Sequence, residues 1–127
     1  MSRTILIIDD EESNRNLLTR FFAMKGFRTI TAESVETARK HVSQCDIVLS
    51  DIRIGEGNGM EFFEEIRSQG SEKPFLFMSG IQIDREYEKA IELTGYPILF
   101  KPDMLKVVDK IIEEILVVRK TDEDGNQ

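Results

Sequence analysis

The chain has 127 residues, of which 40% are hydrophobic, a length that supports one compact domain and is short for two. Its 24 acidic residues exceed its 17 Lys and Arg residues, and the resulting net charge of -7 argues against direct binding to nucleic acid, which requires cations to neutralise phosphate. No apolar run approaches a signal peptide's core or the roughly 20 residues of a membrane span, so we expect a cytoplasmic protein with no membrane insertion.

Five short apolar runs rich in Ile, Val, Leu and Phe predict β-strands. The runs are Thr4 to Asp9, Phe27 to Ala32, Asp46 to Asp51, Pro74 to Ser79, and Pro97 to Lys101. Stretches of helical period separate them, an alternation that is typical of a parallel sheet covered by helices on both faces. The sequence therefore predicts an α/β fold, a doubly wound five-stranded parallel sheet with right-handed crossovers and five helices.

Apolar residues mark the first, third and fourth helices, and a cap marks the second. The first helix carries Leu17, Leu18, Phe21 and Phe22 before Gly26, and Ser34 can cap the second. The third carries Phe62, Phe63 and Ile66 after Gly59, and the fourth carries Tyr87, Ala90 and Ile91 before Gly95. Gly26 and Gly95 lie where the first and fourth helices should end, because glycine adopts the left-handed backbone that terminates a helix.

The fifth helix has the most regular pattern. With Asp103 as its N-cap, its apolar residues follow the i, i+3, i+4, i+7 rule without a break, and we expect this stripe to be core. Its members are Met104, Val107, Val108, Ile111, Ile112, Ile115 and Leu116. Residues 119–127 are polar with no apolar anchor, so we expect a domain over residues 1–118 and then a polar tail or the start of a linker.

Four of the five predicted strands end in residues that carry chemistry. The first ends in Asp9 and Asp10, the third in Asp51, the fourth in Ser79 and the fifth in Lys101. Ligands of an open parallel sheet bind outside these carboxyl ends. If the first and third strands are neighbours, about 4.8 Å apart, their carboxylates lie close together and need either a raised pKa or a cation. Mg²⁺ is the natural candidate because it prefers oxygen ligands.

This set of residues suits phosphoryl transfer, in which a protein contributes mainly positioning and charge neutralisation. Asp51 is the best-placed nucleophile, since a carboxylate can form an aspartyl phosphate. Lys101 brings a positive charge to the same edge, and the Ser79 hydroxyl can bond a phosphoryl oxygen.

The strand-end residues lie in four segments that together resemble the two-component response-regulator receiver (CheY-like) family. The segments are Ile7-Ile8-Asp9-Asp10-Glu11, Leu49-Ser50-Asp51-Ile52-Arg53, Met78-Ser79-Gly80 and Phe100-Lys101-Pro102. The resemblance covers Arg3 to about Val118 and implies a flavodoxin-like (βα)5 fold with strand order 2-1-3-4-5. It also implies a cis Lys101-Pro102 bond.

The family's functional residues carry over onto these segments. The resemblance implies that Asp9, Asp10, Asp51 and the backbone carbonyl of Arg53 hold Mg²⁺. It further implies that Asp51 is phosphorylated with help from Lys101 and Ser79. The partners it implies are a sensor histidine kinase or phosphotransfer protein and a downstream effector protein, with catalysis limited to the chain's own phosphorylation and dephosphorylation.

The chain departs from the family at Ile98. The family usually has Tyr or Phe three residues before the lysine, and its rotation reports phosphorylation to partners. Ile98 and the loop loosened by Gly55, Gly57 and Gly59 keep open a docking module of the same fold that never uses phosphate. A metal-dependent phosphohydrolase also stays open, since aspartyl nucleophiles serve such enzymes too. Such hydrolases commonly carry a DxD pair directly after the first strand, which Asp9-Asp10-Glu11 lacks.

Overall fold

The structure is a computed structural model that describes residues 3–80 and 87–125, with side chains as far as residue 119. Its strands are, in chain order, β1 (Thr4–Ile8), β2 (Arg28–Ala32), β3 (Ile47–Asp51), β4 (Arg53–Ile54), β5 (Gly57–Asn58), β6 (Phe75–Ser79) and β7 (Leu99–Phe100). Its α-helices are α1 (Glu12–Met24), α2 (Val35–Arg39), α3 (Gly59–Ser68), α4 (Tyr87–Thr94) and α5 (Val108–Gly125). Two 3-10 helices, Val42–Gln44 and Asp103–Lys106, complete the regular structure of the described residues.

Five of the strands form one parallel sheet in the order β2-β1-β3-β6-β7. When only these five strands are counted, the order is 2-1-3-4-5, which confirms the expected topology. β4 and β5 form a separate antiparallel hairpin directly after β3. This hairpin was not predicted, because its two-residue strands are too short to show an apolar pattern.

Apolar residues are buried on both faces of the sheet, because successive side chains of a strand point to opposite sides. On β1, Leu6 and Ile8 join one apolar cluster, and Ile5 and Ile7 join the other. The first cluster receives residues from α2, α3 and α4, and the second receives residues from α1 and α5. The predicted doubly wound arrangement is therefore confirmed.

Local signals set several helix ends as expected. Ser34 caps α2 by accepting a hydrogen bond from the Thr37 amide at 3.1 Å. Gly26 follows α1 with a φ of +87°, and Gly95 follows α4 with a φ of +76°, conformations that favour glycine. Asn58 caps α3 by accepting a hydrogen bond from the Met60 amide at 2.7 Å.

The prediction of one unbroken fifth helix is wrong. Asp103 is the first residue of a 3-10 helix and not an N-cap, and α5 begins only at Val108. Val107 lies at the junction with 46% of its surface exposed, so it is not core. The register changes there because a 3-10 helix has three residues per turn. α5 also continues to Gly125, beyond the start of the expected polar tail, while the domain boundary itself stays a prediction.

Within the ranges 3–80 and 87–125, no helix combines the length and apolarity that crossing a membrane would require.

Candidate functional site

The sheet brings four chemically active strand ends to one edge. β1 pairs with β3 so that Ile8 lies opposite Ser50, and the residues that follow each of them are Asp9 and Asp51. β6 pairs with both β3 and β7, and it ends at Ser79, whose carbonyl accepts a hydrogen bond from the Lys101 amide at 2.9 Å. The parallel register thus places residues that are distant in sequence around one pocket.

Lys101 joins the two buried carboxylates. Its Nζ lies 2.8 Å from Asp9 Oδ2 and 2.9 Å from Asp51 Oδ2, although the residues are 92 and 50 positions apart. Asp9 is fully buried, while Asp51 keeps 8% of its surface exposed and so remains open to a ligand. The peptide bond between Lys101 and Pro102 is cis, as expected from the resemblance.

The first turn of α1 fixes the orientation of Asp9. Its Oδ1 accepts a hydrogen bond from the Glu11 amide at 2.9 Å, and its Oδ2 accepts one from the Asn14 side-chain amide. The Arg15 guanidinium donates to the Asp9 backbone carbonyl at 2.7 Å. Asn14 and Arg15 were not among the predicted site residues, since the helical pattern does not show that the start of α1 folds back over β1.

The burial of two carboxylates beside one ammonium shifts all three pKa values. Burial, reinforced by the contact with Asp9 and opposed by Lys101, raises the pKa of Asp51 to about 7. Burial also acts to raise the pKa of Asp9, but hydrogen bonds with Asp51 and Lys101 outweigh it and the pKa is lowered. Burial tends to lower the pKa of Lys101, yet its two carboxylate partners raise it. Near neutral pH the acidic pair therefore holds a proton that a second cation can displace.

The acidic residues fit a hard divalent cation. Asp9, Asp10 and Asp51 each offer a carboxylate oxygen, and these oxygens lie within 4.8 Å of one another. Oxygen ligands with net negative charge match the preference of Mg²⁺. Asp10 is exposed, and its Oδ2 accepts a hydrogen bond from the Gly55 amide at 3.1 Å. The role of the Arg53 carbonyl, two residues after Asp51 at the start of β4, stays a prediction.

Ser79 contacts an aromatic residue that was predicted only as part of a helix face. Its Oγ lies 3.1 Å from the Tyr87 hydroxyl oxygen at the start of α4. The Tyr87 ring packs edge-on against Phe100, with 5.4 Å between the ring centroids. The helical spacing shows that Tyr87 faces the core but gives no sign of this hydrogen bond.

Gly59 permits the start of α3 to approach Asp51 closely. The Gly59 amide donates to the Ile52 carbonyl at 2.7 Å. A Cβ atom at this position would lie 2.3 Å from the Asp51 backbone oxygen and 3.0 Å from Ser50 Oγ. Only a residue without a side chain fits there, so Gly59 helps to set the position of Asp51.

The sequence is similar to a known protein family and to several of its members. The sequence model of the response regulator receiver domain family matches residues 5–113. Regulatory protein AtoC of Escherichia coli is 31% identical over 114 residues, which are 88% of this chain and 25% of AtoC. The alkaline phosphatase synthesis transcriptional regulatory protein PhoP of Bacillus subtilis is 29% identical over 120 residues, which are 91% of this chain and 49% of PhoP.

A solved structure shows the same architecture. The crystal structure of a two-component response regulator from Clostridium difficile superimposes with a TM-score of 0.81 at 26% identity and covers 91% of this chain and 96% of that one. The chain thus spans nearly all of that solved chain but only a quarter of AtoC and about half of PhoP.

Proposed function

Because this chain belongs to the response regulator receiver domain family, we propose that it is a two-component signalling switch whose phosphoacceptor is Asp51. One observation carries the proposal. The carboxylate of Asp51 ends the central strand β3, 2.9 Å from the Lys101 ammonium and beside the carboxylates of Asp9 and Asp10. A nucleophile next to a fixed cation and a metal-binding acidic group is what phosphoryl transfer to a carboxylate requires.

The phosphoryl group comes from a phosphohistidine of a sensor kinase or phosphotransfer protein, or from a small phosphodonor. An oxygen of Asp51 forms a bond to phosphorus while the bond from phosphorus to the imidazole nitrogen breaks. The imidazole keeps that electron pair and takes up a proton from water. Asp51 must be deprotonated to attack, and because its pKa is raised to about 7 without metal, a bound cation would favour the ionised form that attacks.

The chain's other site residues bind and neutralise the transferred group. Asp9, Asp10, Asp51 and the Arg53 carbonyl would hold Mg²⁺, which offsets the negative charge of carboxylates and phosphoryl oxygens when it is bound. The Lys101 ammonium, already in contact with Asp51, is within reach of a phosphoryl oxygen on that residue. The Ser79 hydroxyl donates to another.

The phosphorylated form acts by changing its affinity for an effector protein in the cytoplasm. Catalysis is confined to the chain's own phosphorylation and dephosphorylation. We expect no steady turnover of a phosphate ester such as p-nitrophenyl phosphate, which separates this function from that of a metal-dependent phosphohydrolase.

Intact-mass measurement tests the proposal directly. With Mg²⁺ and acetyl phosphate, the wild-type mass should rise by one phosphoryl group, and the gain should disappear in Asp51→Asn or when a chelator removes the metal. Asp46→Asn is a matched control, because Asp46 lies just before β3 at its opposite, exposed end and accepts a hydrogen bond from the Thr4 amide at 2.7 Å. An unchanged wild-type mass would overturn the proposal.

The buried Ile98 favours a second candidate function, a docking module that binds partners without phosphate. Ile98 is 8% exposed within the apolar cluster and offers neither a ring nor a hydroxyl at the family's usual reporter position. A docking module would bind its partner equally well as wild type and as Asp51→Asn. A phosphorylation switch would show partner affinity that changes with the mass gain.

A further inference from the structure

Tyr87 lies where a phosphorylation signal could leave the pocket. Its hydroxyl contacts Ser79 Oγ at 3.1 Å, and Ser79 ends the strand next to the one that carries Asp51. Tyr87 is also the first described residue of α4, so any movement of its side chain bears directly on that helix.

The Tyr87 ring packs against the apolar cluster that contains Ile98. Tyr87, Phe100 and Ile98 belong to the same apolar cluster, in which Tyr87 is only partly buried. The ring contact with Phe100, at 5.4 Å between centroids, ties Tyr87 to β7 beside Lys101. Tyr87 therefore supplies, from α4, both the ring and the hydroxyl that Ile98 lacks.

We propose that Tyr87 is the positioning residue that couples Ser79 to α4, so that phosphorylation of Asp51 breaks the Ser79–Tyr87 hydrogen bond. The proposal rests on the proposed function of Asp51. It assigns to this chain a route from the pocket to α4 that does not pass through residue 98.

The energetics favour this exchange of partners. Either hydroxyl of the Ser79–Tyr87 pair can donate to the other, and a serine hydroxyl has a single hydrogen, so Ser79 cannot donate to Tyr87 and to a phosphoryl oxygen at once. Hydrogen bonds to a charged oxygen are roughly twice as strong as bonds between neutral groups. A phosphoryl group on Asp51 therefore draws the Ser79 hydroxyl away from Tyr87, whose ring keeps its packing against Phe100.

The chain is suited to an optical test because it has no Trp and two Tyr residues. In Tyr96→Phe, Tyr87 is the only tyrosine, and its near-ultraviolet absorption and fluorescence respond to the hydrogen bonding of its hydroxyl. After addition of Mg²⁺ and acetyl phosphate, we expect the Tyr87 signal of this variant to change with the same time course as the mass gain. The matched variant Tyr87→Phe, which keeps Tyr96, should gain mass without that signal.

Two further measurements separate coupling through Ser79 from a structural role. In the double variant Ser79→Ala, Tyr96→Phe, the Tyr87 spectrum should already resemble that of phosphorylated Tyr96→Phe and should not change with acetyl phosphate. In Tyr87→Phe, loss of the competing hydrogen bond should tighten binding of beryllium trifluoride, a phosphoryl mimic, about two- to tenfold in calorimetry.

The outcomes distinguish this inference from the function on which it rests. A mass gain in Tyr96→Phe with an unchanged Tyr87 spectrum would overturn the coupling and leave the phosphoacceptor function standing. A Tyr87 signal that persists in the Ser79→Ala background would also overturn it, since the route would then bypass Ser79. Absence of any mass gain in the wild-type protein would overturn both.

Discussion

Asp51 is held in a balance of opposing charges. Burial beside Asp9 makes its ionised form unfavourable, and the Lys101 ammonium at 2.9 Å only partly offsets this cost. Two buried carboxylates with one ammonium leave room for one more positive charge, which is either a proton or a metal ion. The protonation of Asp51 should therefore influence both the stability and the reactivity of the domain.

The raised pKa of Asp51 predicts how stability depends on pH without metal. Because its pKa is about 7 in the folded protein and 3.8 in the unfolded chain, the folded state binds the proton more tightly. This contribution is complete below the unfolded pKa and is lost as pH rises through the folded pKa. We expect the free energy of unfolding of wild type, measured relative to Asp51→Asn, to fall as pH rises from about 4 to about 7.

Urea unfolding in a chelating buffer across this range would check that prediction. Asn has nearly the shape of Asp but does not titrate, so subtraction of the two curves removes the titration of groups that do not contact Asp51. A difference that stays constant, or that grows in favour of wild type with rising pH, would contradict the proposed origin of the shift.

The sequence predicted that the charged residues at the strand ends lie together. It did not predict which side chains from the helices contact them. Asp9, Asp51 and Lys101 could be brought together from sequence because each follows an apolar strand, and parallel strands end at one edge. Asn14 and Tyr87 could not, since their contacts depend on the orientation of a helix over the sheet. A periodic pattern shows which helix face is buried, not which atom a polar group meets.

At the level of elements, β3 and α3 fit together through Gly59. The backbone of α3 starts so close to β3 that a Cβ at Gly59 would approach the Asp51 carbonyl to 2.3 Å. Backbone cannot yield as a flexible side chain does. A larger residue must therefore displace either the helix or the strand end that carries Asp51.

Gly59→Ala should accordingly destabilise the fold and disturb the site. We expect a loss of about 1–3 kcal/mol in the free energy of unfolding, typical of overpacking, together with slower phosphorylation by acetyl phosphate. Gly80→Ala is a matched control, since an added Cβ there meets no atom of residues 3–80 or 87–125 within 4 Å and no positive φ is involved. Its stability should stay within about 0.5 kcal/mol of wild type. Equal stability of the two variants would contradict the close approach.

Element boundaries show where the sequence was insufficient. β7 has two residues, whereas the apolar run from Pro97 to Lys101 predicted five. As an edge strand of the sheet that the structure describes, β7 pairs only with β6 and at two positions, so the apolar run extends beyond the paired residues. Val107 fits the helical period yet is exposed, since a 3-10 helix precedes it and changes the register. Period alone cannot distinguish a 3-10 turn from the first turn of an α-helix.

At the scale of the whole molecule, the sheet and its two apolar clusters form the frame that holds a net negative pocket. Such a pocket makes cation binding and folding interdependent, because a ligand that binds only the folded state stabilises it. The apolar runs made this frame predictable, since all five strands of the sheet were recognised from their apolar composition and from their alternation with helical segments.

Mg²⁺ should therefore stabilise the domain. At a concentration about 100 times its dissociation constant, we expect a gain of about 2.7 kcal/mol, reversed by a chelator. The gain should be smaller at pH 6 than at pH 8, because Asp51, with its pKa raised to about 7, must lose its proton before it can bind the metal. Thermal or urea unfolding with and without Mg²⁺ measures both effects.

Variants of exposed acidic residues locate the ion. Asp10→Asn should abolish most of the stabilisation, since Asp10 supplies one of the three clustered carboxylates. Glu12→Gln, a neighbouring exposed carboxylate at the start of α1, should leave it intact. If both variants respond to Mg²⁺ as wild type does, the ion binds elsewhere.

The distance along the chain between Asp9 and Lys101, 92 positions, also matters during synthesis on the ribosome. β1 emerges early and β7 late, so a partly translated chain carries Asp9 and Asp51 before their shared ammonium exists. Such a nascent chain lacks a complete pocket. Under the proposed function, we therefore expect phosphorylation only of polypeptides whose sheet has closed with its last strand.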